Sequence, residues 1–133
     1  MKKMRVAIIG QGRSGRNIHG KFFRSENNDL CEVVCIVEKD EFRRNRAKEE
    51  FCCDVVCDYR EILGRKDIDL VVNSSYSHLH YPITKELLIH GFNVLSEKPF
   101  GRSYYECMDL VNTAKQHGVV VAAFHQSLFA PSF

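Results

Sequence analysis

Short apolar runs rich in β-branched residues recur along the chain, separated by charged stretches of helical character. The runs are RVAII (5–9), EVVCIV (32–37), DVV (54–56), DLVVNS (69–74), NVLS (93–96) and VVVAA (119–123). Each is almost continuously apolar instead of alternating in and out, as parallel strands covered on both faces are. Helices are predicted between them at about 13–25, 41–51, 59–64, 80–90 and 103–117. Ile83, Leu87, Leu88 and Ile89 lie near helical spacing, with Gly91 as a C-terminal stop. Ser103, followed by Glu106, forms a capping-box pattern closed by Gly118. The stretch 41–51 is mostly charged and is expected to be a solvated helix on one sheet face. The alternation predicts right-handed βαβ crossovers and an α/β fold: a doubly wound parallel sheet of about six strands.

Composition narrows the function. At 133 residues, 44% apolar and 27% charged, the chain is expected to be one globular unit able to bury a core unaided. Nineteen Lys and Arg against 17 Asp and Glu give a net charge of +2. That balance provides no electrostatic argument for nucleic acid or a membrane surface. The apolar runs are too short to span a bilayer, and the start MKKMRVAIIG lacks a cleavage site, so a cytoplasmic protein is expected.

The six cysteines, at 31, 35, 52, 53, 57 and 107, make no C-x-x-C, the spacing that lets two thiolates share one metal or redox centre. They are expected to be buried small hydrophobes, with Cys31 and Cys35 on one face of their strand. His78 and His80 have no nearby acidic or thiol partner, so no metal site is expected.

The chemistry starts at Gly10-Gln11-Gly12-Arg13-Ser14-Gly15, a G-x-G-x-x-G between the first strand and a predicted helix. The first glycine permits the tight turn, the second lets backbone approach a pyrophosphate, and the third lets helix pack on strand. The phosphates would meet unpaired N–H groups at the positive end of the helix dipole. The alternative is a glycine turn serving only compactness. No Gly-Lys-Ser/Thr follows, which excludes a Walker A loop. Glu38 ends the second strand, at the separation where dinucleotide folds hold an acidic residue against the adenosine ribose. A carboxylate there accepts from both hydroxyls and repels a 2′-phosphate, which favours NAD over NADP. Lys39, Arg43 and Arg44 follow and would either attract that phosphate or form a solvated helix face.

With IIGQGRSG in front, VVNSSYSHLHYPITKELLIHG (71–91) and NVLSEKPFG (93–101) resemble the glucose–fructose oxidoreductase / inositol dehydrogenase / MocA family. The resemblance covers the whole chain, and Glu97-Lys98-Pro99 is its most specific element. It implies a Rossmann dinucleotide-binding fold, NAD with NADP possible, and hydride exchange with a sugar, polyol or related hydroxy compound. It makes Lys98 the catalytic lysine, acting on a substrate hydroxyl. Glu97 would contact the nicotinamide ribose or orient Lys98; the alternative for Lys98 is an exposed Lys-Pro turn. Ser74, Ser75, Tyr76, His80 and Gln126 fall to the cofactor. Tyr76 departs from the family's Thr-Pro-Asn, and His80 has the alternative of a plain helix-start residue.

The same resemblance implies a second α/β domain carrying substrate contacts. Residues 1–123 are then the NAD(P)-binding domain and 124–133 the start of a crossing, making this the nucleotide half of a longer, homo-oligomeric enzyme, inactive alone. Two alternatives stay open: a non-catalytic dinucleotide-sensing module, and another reductase with the same front half, of the dihydrodipicolinate or homoserine type. Neither calls for Glu97-Lys98-Pro99.

Overall fold

The computed structural model describes residues 4–10, 31–74, 80–97 and 103–124. Six strands, β1 (Met4–Ile9), β2 (Cys31–Val37), β3 (Asp54–Val56), β4 (Leu70–Asn73), β5 (Asn93–Glu97) and β6 (Val121–Phe124), form one sheet. Its order is β3-β2-β1-β4-β5-β6, and every neighbouring pair is parallel. The helices are α1 (Glu41–Phe51), α2 (His80–Ile89) and α3 (Tyr104–Gln116). The predicted helix at 13–25 lies outside the described residues.

Parallel strands need crossovers, and these crossovers cover both faces. On one face Val6, Ile8, Ile36 and Val72 pack with Ala47 of α1. On the other, Ala7, Ile9, Val37, Val71 and Val94 pack with Ile83, Leu87 and Leu88 of α2 and Leu110 and Ala114 of α3. Burying a Leu or Ile side chain contributes roughly 1.5–3 kcal/mol, so α2 is held by its apolar stripe. In α1 only Ala47 is buried, and its ends do more of the fixing. Asp40 caps the start by accepting from the Arg43 N–H at 2.9 Å. Cys52 closes the other end at φ 52° and ψ 43°, a left-handed conformation more usual for glycine.

Several local expectations change. A bulge shifts the β1–β2 register, so that Val6 faces Val33 but Ala7 faces Cys35. The extra residue reverses the side-chain parity of β2. Cys31 packs on the α1 face and Cys35 on the opposite one, not on a shared face. Cys35 is buried as expected, but Cys52 and Cys57 are exposed, and none of the six is in a disulfide. Residues 59–64 make only a single 3₁₀ turn, Tyr59–Ile62, opened by an Asp58–Glu61 capping box. Ile89, expected on the apolar stripe, is 46% exposed. The last strand starts at Val121, two residues later than expected, because Val119 and Val120 hydrogen-bond to the α3 end and to Asn93.

Candidate functional site at the carboxyl edge of the sheet

The chain moves outward from β1 to β2 and β3, then returns to β4 on the other side of β1. At such a reversal the crossovers leaving two adjacent strands diverge and open a crevice at the carboxyl ends. Here the adjacent strands are β1 and β4. Ile9 is in register with both Val37 and Asn73, so the ends of β1, β2 and β4 align. Gly10 follows at φ 95°, where an L side chain is strained, and its N–H donates to Val37 O at 2.7 Å. The glycine loop therefore leaves β1 beside the residue that precedes Glu38. Gln11, Gly12, Arg13, Ser14 and Gly15 lie outside the described residues.

Glu38 is held at three points. Its N–H donates to Val56 O at 2.9 Å. One carboxylate oxygen, Oε2, accepts the Asp40 N–H at 2.9 Å. The Arg44 guanidinium reaches back from α1 and donates through Nη1 to Glu38 O at 3.0 Å and Lys39 O at 3.2 Å. Arg44 is thus half-buried and engaged with backbone carbonyls, not a member of a solvated face. Lys39 is exposed. No sequence signal separates Arg44 from its neighbours Arg43 and Arg46.

The end of β4 carries a polar layer that sequence reasoning missed. Asn73 is fully buried, and its Nδ2 donates to Thr84 Oγ1 at 3.0 Å and to His80 O at 3.4 Å. Both acceptors lie in the first turns of α2, so this side chain fixes how α2 leaves the β4 crossover. A lone Asn ending an apolar run was the available signal. His80 is buried, as is Ser96, which stands opposite Asn73 on β5. Ser74 N–H donates to Ile9 O at 2.9 Å. Ser74 Oγ is buried yet has no hydrogen-bond partner among the described residues. A buried hydroxyl is normally satisfied, so this one is suited to a ligand that supplies the partner. Glu97 ends β5, directly before Lys98 in sequence. Ser75, Tyr76, Lys98 and Gln126 lie outside the described residues.

Tyr59 donates to Glu86 of α2, and Tyr81 and Lys85 of α2 both bind Asp109 of α3. The Lys85 ammonium, with Tyr81, holds the Asp109 carboxyl below its ordinary range. Burial, followed by the Glu86 carboxylate, pushes Tyr59 up to about 12. Burial also raises Cys35 to about 11 and Cys53 to about 12, so neither supplies a thiolate at neutral pH. Among the described residues no cluster of three or more His, Cys, Asp or Glu is arranged to hold a metal. None of the described helices is long and apolar enough to cross a membrane.

A doubly wound parallel sheet with a positive-φ glycine after β1, an anchored acid after β2 and, after β4, a buried hydroxyl with no partner among the described residues defines a dinucleotide-binding domain. Residues 4–125 match the family described as "Oxidoreductase family, NAD-binding Rossmann fold", and the chain belongs to this Gfo/Idh/MocA family. It is 30% identical over 125 residues to 2,7-anhydro-N-acetylneuraminate hydratase of Mediterraneibacter gnavus, covering 94% of this chain and 32% of the relative. It is 29% identical to scyllo-inositol 2-dehydrogenase (NADP(+)) of Bacillus subtilis, covering 92% and 33%. Among solved structures it superposes on the Bacillus subtilis protein yvaA at TM-score 0.89 and 28% identity, covering 99% and 37%. It also superposes on the 3-ketoreductase KijD10 of Actinomadura kijaniata, crystallised with TDP-benzene and NADP, at TM-score 0.89 and 26% identity, covering 98% and 41%. The chain spans about a third of the length of the curated relatives it matches.

Proposed function

We propose that this chain is the nucleotide-binding part of an oxidoreductase that moves hydride between nicotinamide and a sugar, polyol or related hydroxy compound. The observation that carries the reading is the convergence of Gly10, Glu38 and Ser74 at the single reversal of strand order. The residues fit a nicotinamide dinucleotide: the glycine loop receives the pyrophosphate, Glu38 the adenosine ribose, and Ser74 with Ser75, Tyr76 and His80 the nicotinamide end. The bound nicotinamide supplies the hydride acceptor or donor. Lys98 holds and moves the proton of the substrate hydroxyl, and its charge stabilises alkoxide character as it develops. Glu97 contacts the nicotinamide ribose or orients Lys98. Residues 1–123 form the cofactor domain, and 124–133 lead towards a second, substrate-binding α/β domain of the kind the relatives' greater length allows.

The relative named a hydratase supports a second reading, in which substrate is transformed without net oxidation and the nicotinamide must end each cycle as it began. One experiment covers both. Lys98→Ala in the complete enzyme is expected to leave NAD(H) affinity nearly intact and to lower turnover by roughly 10²–10⁴-fold. Turnover is followed by NADH absorbance and by chromatography of a polyol and sugar panel. Product without net NADH selects the second reading. Ordinary turnover in the variant contradicts the role of Lys98, and no turnover of any substrate by the complete enzyme selects the sensing module instead.

A further inference from the structure

We infer that Arg44 is a positioning residue for nucleotide choice, resting on the placement of Glu38 at the adenosine ribose proposed above. A basic residue at that corner would ordinarily be read as a partner for a 2′-phosphate. The geometry points elsewhere. Arg44 Nη1 donates to the carbonyls of Glu38 and Lys39, at 3.0 and 3.2 Å, from the first turns of α1. These are the backbone groups that set the direction in which β2 turns into α1. With the Asp40 N–H on Glu38 Oε2 and the Glu38 N–H on Val56 O, the arginine completes a three-sided hold on one residue. The carboxylate is thereby presented to a ribose without paying ordering entropy when the ligand arrives. A charge-assisted contact to a carbonyl is also among the stronger hydrogen bonds a side chain makes. Arg44 acts through Glu38: it keeps the carboxylate where it accepts from two hydroxyls and repels a 2′-phosphate.

This role and the phosphate-partner role predict opposite signs. NADH and NADPH are titrated calorimetrically into the 133-residue chain and its Arg44→Ala, Arg44→Lys, Glu38→Ala and doubly substituted variants, with a thermal melt of each. Positioning predicts that Arg44→Ala weakens NADH roughly three- to tenfold and NADPH less, so that the preference for NADH shrinks. Arg44→Lys recovers part of the preference, because an ammonium can still reach one carbonyl. The double variant shows the preference of Glu38→Ala alone, as expected of residues acting in series. A larger loss for NADPH than for NADH makes Arg44 a phosphate partner and overturns the inference. Equal losses for both, or none, also overturn it. If Glu38→Ala leaves the preference unchanged, the ribose contact itself is wrong; if that variant collapses it and Arg44→Ala does not, only the positioning role is wrong.

Discussion

The two edges of the sheet are both dense in polar side chains, yet they are built in different ways. At the amino edge the charges satisfy one another. Arg65 grips Asp67 with two donors at 2.9 and 2.6 Å and reaches Asp54 at 3.3 Å. Arg5 binds Asp67 O at 2.7 Å and pairs with Glu32. An open cleft lined by Arg5, Lys66, Asp67 and Asp69 lies there, and Arg5, Asp67 and Asp69 in it are already engaged with protein groups. At the carboxyl edge the side chains bind backbone: Glu38 the Asp40 N–H, Arg44 two carbonyls, Asn73 the His80 carbonyl. These contacts fix loops, and they leave the Ser74 hydroxyl without a partner among the described residues. A charged cleft is therefore a poor guide to the site of this domain, and the strand-order reversal is the better one. The amino edge is expected to govern stability and the carboxyl edge binding.

The largest effect that sharpens this division is expected at Gly12, where any side chain blocks close approach to a pyrophosphate. Gly12→Val should abolish NAD(H) binding in a calorimetric titration while leaving the circular dichroism spectrum unchanged. Normal binding by that variant would mean the loop is no phosphate cradle.

Acid removes the stability that the paired carboxylates contribute. The Arg65 guanidinium holds Asp67 far below its ordinary 3.8, and hydrogen bonds from Arg60 hold Asp58 at about 2. Lys85, with Tyr81, lowers Asp109 as well. A depressed folded value means the unfolded chain takes up protons first, so this stability is complete above the ordinary value and is lost as pH falls from there towards the depressed one. The melting temperature should be level near neutral pH and fall steadily below about pH 4, read by differential scanning calorimetry. A melting temperature that rises on acidification would contradict the pairing.

Asp67→Ala tests one pair within that set. The side chain is 39% exposed, so the loss is screened and expected at about 1 kcal/mol, with NADH affinity unchanged. A fall in affinity would break the separation of the edges. The smallest effect is expected at Cys52, a non-glycine residue at positive φ. Cys52→Gly should raise stability by about 0.5 kcal/mol in urea melts, the relief of left-handed strain less the entropy a glycine loses on folding. A loss of stability would show that the Cys52 thiol, which donates to Glu49 O, matters more than the backbone.

The strands were legible because parallel strands buried on both faces read as unbroken apolar runs. The same property hid the bulge: within CEVVCIV an extra residue exchanges one apolar neighbour for another, so the parity of Cys31 and Cys35 could not be read. The ends of α3 were legible from Ser103, Glu106 and Gly118, whereas nothing read in the sequence limited 59–64 to a single turn. At the carboxyl edge the positions of Gly10 and Glu38, directly after β1 and β2, were legible because the apolar runs mark where those strands end. Arg44 was not, since three arginines within four residues look alike until the helix settles which of them faces the preceding loop.

The most direct test of where this domain binds its cofactor is a pair of ¹H–¹⁵N correlation spectra of the 133-residue chain, with and without saturating NADH. Amide shifts are predicted at Gly10, Glu38 to Asp40 and Ser74, with Arg5 and Arg65 to Asp69 unmoved. Shifts centred on Arg5 and Asp67, with Gly10 and Glu38 unchanged, would contradict the account.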